Sequence, residues 1–98
     1  MLSQAISESA IFSLGRTVAT PHVLQVLAQQ GITPLSLLIR YAAGDWGDVP
    51  PDDAQANHIA LKSGSRLFSS YHIDPDARIW IITEADRSVT TLLLPSEY

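Results

Sequence analysis

Residues 78–98 read RIWIITEADRSVTTLLLPSEY, and the architecture of the chain can be built outward from them. RIWIITEAD supplies one strand and RSVTTLLLP a second, both rich in β-branched and aromatic residues. Glu84, Asp86, Arg87 and Ser88 gather at the turn between them. Trp80, Ile81 and Ile82 follow one another directly, as do Leu92, Leu93 and Leu94, so each strand is apolar on both faces. Such strands belong at the centre of a sheet, with helices on one side and room for a partner on the other. Pro95 stops the second strand, since proline has no amide to give to the ladder.

Upstream, Leu67, Ser69, Tyr71 and Ile73 alternate with Arg66, Phe68, Ser70 and His72, a period of two that predicts a strand from Arg66 onward. Asp74-Pro75-Asp76-Ala77 then places Asp and Pro where a type I turn prefers them. Before residue 66 the period is helical. Thr20-Pro21 and Thr33-Pro34 spell the same helix start, with Thr to cap free amides and Pro at the first helical position; Gly31 and Gly44 supply the stops. Leu24, Leu27 and Ala28 are read as the buried face of the first helix, and Leu35, Leu38, Ile39 and Ala42 as that of the second, giving an αα-hairpin. GDWGDVP, between Gly44 and Pro51, must be a loop. A third helix is predicted from Asp52 or Asp53 through Leu61, closed by Gly64. Residues 11–18 read as a strand bent at Gly15, and residues 1–10 as a flexible N-terminus. The order β-α-α-α-β-β-β predicts one α+β domain over residues 11–98, with helices on one face of a three- or four-stranded antiparallel sheet.

Ninety-eight residues support one core, and an apolar fraction of 46% against 16% charged residues excludes the disordered class. The six basic side chains are scattered and the net charge is −4, so no basic stripe exists to track phosphates and nucleic acid is not an expected partner. The absence of cysteine excludes disulfides, thiolate metal sites and cysteine nucleophiles. No signal-peptide pattern and no apolar run long enough to span a membrane occurs, which leads to the expectation of a cytoplasmic protein.

No phosphate-binding loop, dinucleotide fingerprint, zinc motif or nucleophile elbow is present, and no cofactor is indicated. The candidate groups are therefore isolated ones. Asp45 and Asp48 flank Trp46 in GDWGD; two carboxylates are too few for a metal site, leaving a tight loop with Trp46 plugged into the core or, alternatively, a partner contact through these residues. Glu84, Asp86 and Arg87 form either a solvated turn or a contact tip. His22, His58 and His72 share no ligand spacing. Arg66, Tyr71 and Arg87 are the residue types that an RNA-cleaving site would use.

Three strings, FSLGRTVATP at 12–21, GDWGD at 44–48 and IWIITEADRSVTTLLLPSEY at 79–98, resemble a family of small bacterial proteins carried on plasmids and integrative elements and described as plasmid-related proteins. The resemblance brings no activity with it. It implies a mobile-element setting in which a small accessory protein acts by binding a host or defence protein. A second likeness, carried by Gly64, Arg66, Leu67 and Tyr71, is to RelE/ParE-type ribonuclease toxins, from which the chain departs by being acidic and lacking a basic cluster. The expectation is a non-enzymatic protein–protein interaction module, with a toxin and a domain that self-associates through its sheet as a homodimer as alternatives.

Overall fold

The computed structural model describes residues 10–98. Both Thr-Pro pairs start helices as expected. Thr20 Oγ1 accepts the Val23 amide at 3.1 Å to open α1 (Pro21–Gln29), and Thr33 Oγ1 accepts the Ser36 amide at 3.2 Å to open α2 (Pro34–Ala42). α3 (Pro51–Ser63) carries Asp52 and Asp53 in its first turn and Lys62 in its last, which suits the helix dipole, and left-handed Gly64 ends it.

The strands are β1 (Arg16–Ala19), β2 (Leu67–Asp74), β3 (Ala77–Thr83) and β4 (Val89–Leu93), followed by a 3₁₀ turn at Pro95–Glu97. They form one sheet in the order β1-β4-β3-β2. The sheet is mixed rather than purely antiparallel: β2–β3 and β3–β4 are antiparallel, while β1 runs parallel to β4 with Thr17 opposite Thr90 and Ala19 opposite Leu92. Parallel pairing follows from where β1 is tied at its two ends. The Arg16 amide donates to Ser88 O at 2.9 Å, beside the β3–β4 turn, and the Thr20 amide to Leu92 O at 3.1 Å. β3 and β4 are the inner strands, as the run of apolar residues in each required.

The three helices of the described residues lie on one face. Val23, Leu27, Leu37, Leu38, Tyr41, Ala42 and Trp46 pack against Leu67, Tyr71, Ile79, Ile81 and Leu92 from the sheet. Some details depart from the sequence reading. The first strand begins only at Arg16, because residues 11–15 run as irregular backbone from the end of α2, where the Ile11 amide donates to Ala42 O, to the β3–β4 turn. Gly15 there has φ +63°, and a Cβ on it would collide with the carbonyls of Arg87 and Ser88. α1 buries Val23 and Leu27, leaving Leu24 44% exposed and Ala28 exposed. In α2, Tyr41 and Ala42 go deepest and Leu37 and Leu38 are buried with them, while Leu35 and Ile39 are half-buried. Apart from Ala10, which packs on the core, the expected flexible N-terminus lies outside the described residues.

Candidate functional site

The GDWGD loop is built into the fold. Trp46 is 5% exposed, with its ring centroid 5.6 Å from Tyr41 and 6.0 Å from Phe12. Asp45 accepts the Arg40 Nε–H at 2.7 Å and the Gly47 amide at 3.0 Å, and the Arg40 bond is the main reason its carboxyl sits below the usual range. Gly47, at φ +73°, passes so close to Ser70 O and the Tyr71 ring that a Cβ has no room. The loop therefore lies along the outer edge of β2: the Asp48 amide donates to Ser70 O at 2.6 Å, and Asp48 Oδ2 accepts the His72 amide at 2.7 Å. That backbone bond is the first cause of the lowered Asp48 pKa. Asn57 of α3 completes the cover, donating from Nδ2 to Phe68 O at 2.6 Å and accepting the Phe68 amide at 3.1 Å. An edge strand so covered has no free ladder to offer another chain there.

At the β3–β4 turn, Arg87 takes φ 61° and points back into the molecule. Its guanidinium donates to Ala60 O in the last turn of α3 at 3.0 Å and to Ser65 O just past the helix at 2.7 Å, placing a cation at the C-terminal end of α3. Asp86 accepts the Ser88 amide at 3.0 Å, and bonds from Ser88 lower its pKa. Glu84 and Asp86 remain exposed at the tip. The structure does not assemble Arg66, Tyr71 and Arg87: Tyr71 is buried beneath the helices and donates to Asp45 O at 2.6 Å, Arg66 lies on the opposite face, and Arg87 is held by carbonyls. No group of three metal-ligating side chains occurs among the described residues.

The face of the sheet turned away from the helices is where unused chemistry collects. Register puts Phe68 beside Ile82, Ser70 beside Trp80, His72 beside Arg78, and Trp80 beside Leu93, all pointing outward. Phe68, Trp80 and Tyr98 form an edge-to-face row, with centroids 5.0 Å apart for the first pair and 5.7 Å for the second. Tyr98 reaches this face because the 3₁₀ turn is clamped: Glu97 Oε1 accepts both the Thr20 hydroxyl at 2.7 Å and the Leu94 amide at 2.9 Å. The amide bond is the chief reason the Glu97 carboxyl is more acidic than usual. Arg66 donates to Tyr98 OH at 2.9 Å and lies over its ring.

Two clefts open on this face and meet at Trp80 and Phe68. One, of about 220 Å³, lies among Arg66, Phe68, Trp80, Ile82 and Tyr98. The other, of about 400 Å³, is lined by Asp48, Asp53, Phe68, Ser70, Arg78 and Trp80. Trp80 Nε1 and Ser70 Oγ are both buried with no hydrogen-bond partner among the described residues. The alternation put Phe68 on the face opposite Leu67 and Tyr71, but the run Trp80-Ile81-Ile82, apolar on both faces, did not tell which of its residues turns outward, and nothing local marked Tyr98 as part of the same surface.

The described residues form a mixed-sheet α+β domain with one sheet face covered by helices and an aromatic face that none of the described helices covers. No protein family, curated protein or solved structure matches the chain.

Proposed function

We propose that the chain is a non-enzymatic protein-interaction module whose docking surface is the outer sheet face centred on Trp80. The observation that carries this reading is the row Phe68–Trp80–Tyr98, which no helix of the described residues covers, above Ile82 and Leu93. Aromatic residues offer large contact area at little loss of side-chain freedom, which is why they anchor protein interfaces. Asp45, Trp46 and Arg87, by contrast, are occupied in holding loops and helix ends together. Asp48 joins both roles, holding β2 while lining the larger cleft. Resemblance to plasmid-related proteins supports a further part of the proposal, a mobile-element accessory role with a host or defence protein as the partner.

A photo-crosslinking residue at Tyr98 in the full chain tests the surface. It should give one discrete protein adduct in the native cell, lost when Trp80→Ala is added, with none from the same residue at Ile59 on α3, which is 57% exposed. Equal adducts from both positions, or none from Tyr98, would sink the assignment. An adduct of two copies of the chain would give the face to a homodimer instead.

A further inference from the structure

We infer that the outer edge of β1 is a dimerisation edge, on which β1 of a second copy of this chain pairs antiparallel, Thr17 opposite Ala19 and Val18 opposite Val18 on the twofold axis. The fold treats the two edges of its sheet differently. On β2 the outward backbone groups are occupied: Asn57 takes the amide and carbonyl of Phe68, Trp46 O and the Asp48 amide take those of Ser70, and Asp48 Oδ2 takes the His72 amide. β1, at the other edge, pairs with β4 alone. Backbone groups alternate in direction along a strand. The amides of Arg16 and Thr20 turn to Ser88 O and Leu92 O of the β4 side, so the amides and carbonyls of Thr17 and Ala19 turn away from it. These four groups have no backbone partner among the described residues. An edge left open in this way is a template for a further strand.

The edge complements itself in three respects, which is what points to a second copy. With Val18 on the axis, Thr17 and Ala19 of each copy exchange both bonds with Ala19 and Thr17 of the other, and all four free groups are used. Centring on Ala19 would set Thr17 against Pro21, which has no amide, and centring on Thr17 would set Ala19 against Gly15, whose amide already bonds Ser13 Oγ. On the helix side, Thr17 and Ala19 share the face of Thr90 and Leu92 and border a cleft of about 90 Å³ that reaches Pro34 and Leu38 of α2. The second copy brings only Thr17 and Ala19 to that side, which are small enough to enter it. On the outer side project Arg16, Val18 and Thr20, the last still extended at φ −70° and ψ 152°. Arg16 of the second copy falls opposite Thr20, at a non-hydrogen-bonded position where side chains stand closest. Thr20 Oγ1 donates to Glu97 Oε1 at 2.7 Å, so a carboxylate lies beside that position. Arg16 itself is exposed and makes no ion pair among the described residues. The pairing therefore sets Arg16 against Glu97 twice, with Val18 against Val18 between them. β4 separates this edge from the aromatic row on β3 and β2, so the outer face stays open in the dimer.

Sedimentation equilibrium of the full chain should give twice the mass of one chain. Thr17→Pro removes an outward amide while leaving the β1–β4 ladder whole, and should give a monomer. Arg16→Glu, an exposed change, should raise the dimer dissociation constant about tenfold, two exposed ion pairs having become repulsions. The chain has no cysteine, so Val18→Cys carries a single thiol; with oxidised glutathione it should link two copies through a disulfide much faster than Ile59→Cys on α3 does. A wild-type monomer at every concentration overturns the inference, and so does Val18→Cys linking no faster than Ile59→Cys. A dimer that Arg16→Glu leaves unweakened overturns it as well, and this arm stands even where Thr17→Pro fails to fold. A dimer lost in Trp80→Ala and kept in Thr17→Pro overturns it and gives self-association to the outer face, whereas a β1 dimer that Trp80→Ala leaves intact supports it whatever the Tyr98 crosslink shows.

Discussion

A single line of hydroxyls crosses the buried junction of sheet and helices. Tyr41 OH lies 2.7 Å from Thr83 Oγ1, which lies 2.7 Å from Thr90 Oγ1, which donates to Leu14 O at 2.7 Å. A carbonyl can only accept, so the direction is fixed: Thr90 donates to Leu14, Thr83 to Thr90, and Tyr41 to Thr83. Thr90→Val should therefore break two links and leave both a carbonyl and a hydroxyl unsatisfied, costing about 2–3 kcal/mol in urea unfolding, whereas Tyr41→Phe removes only the terminal donor and should cost about 1 kcal/mol. Burial pushes the Tyr41 phenol from 10.0 up to about 12, outweighing the Thr83 hydrogen bond. A raised pKa means the fold favours the neutral phenol, so this stabilisation is whole below pH 10 and disappears as pH rises to about 12. Stability should fall across that window, less steeply in Tyr41→Phe. Tyr71, raised by the same cause, keeps part of the slope. None of these partners is legible in sequence, since Thr83 and Thr90 look like ordinary strand residues until the register brings them together.

Among the elements, β2 depends most on what lies beside it. Its outer edge is closed by the Asn57 amide and by the 46–48 loop, segments that the sequence placed in a helix and in a loop without showing that they meet β2. Asn57→Ala removes two hydrogen bonds and reopens the Phe68 backbone; the expected loss is about 1–3 kcal/mol, with faster hydrogen exchange at the Phe68 amide. Unchanged exchange there would show that α3 does not protect the edge. Helix starts were readable because a Thr cap and the following Pro act within three residues. The buried face of α1 was not, because Leu24 and Val23 are one position apart and only contact with the sheet decides which turns inward.

For the molecule as a whole, its two tryptophans should separate stability from binding. Trp46→Ala empties a site between three aromatic neighbours and should cost about 3–5 kcal/mol. Trp80→Ala on the open face should cost clearly less, yet abolish the Tyr98 crosslink. A reversed ranking of the two urea midpoints would contradict the placement of the core. Acid should weaken the whole fold. Asp45, Asp48, Asp86 and Glu97 all lie below their ordinary values of 3.8 for Asp and 4.5 for Glu, each held ionised by hydrogen bonds. Stability from these groups is present above those values and lost as pH falls through the lower folded ones, so the urea midpoint should be level down to about pH 4.5 and decline below it. A midpoint still flat at pH 2 would show that these bonds do not stabilise the fold.

The amino-acid sequence by itself determined the helix starts, the hairpin strands, the inner position of β3 and the α+β class, because caps, turns and period-two patterning act over a few residues. The tertiary structure decided the rest. Parallel pairing of β1 with β4 joins residues some seventy positions apart, and no local signal encodes it. The same holds for Arg87, whose guanidinium turns back from the tip to bond Ala60 O at the C-terminal end of α3, and for the aromatic face, which exists only once the clamp at Glu97 lays Tyr98 beside Trp80. Contacts that distant are fixed by which surfaces remain to be buried after the local elements have formed.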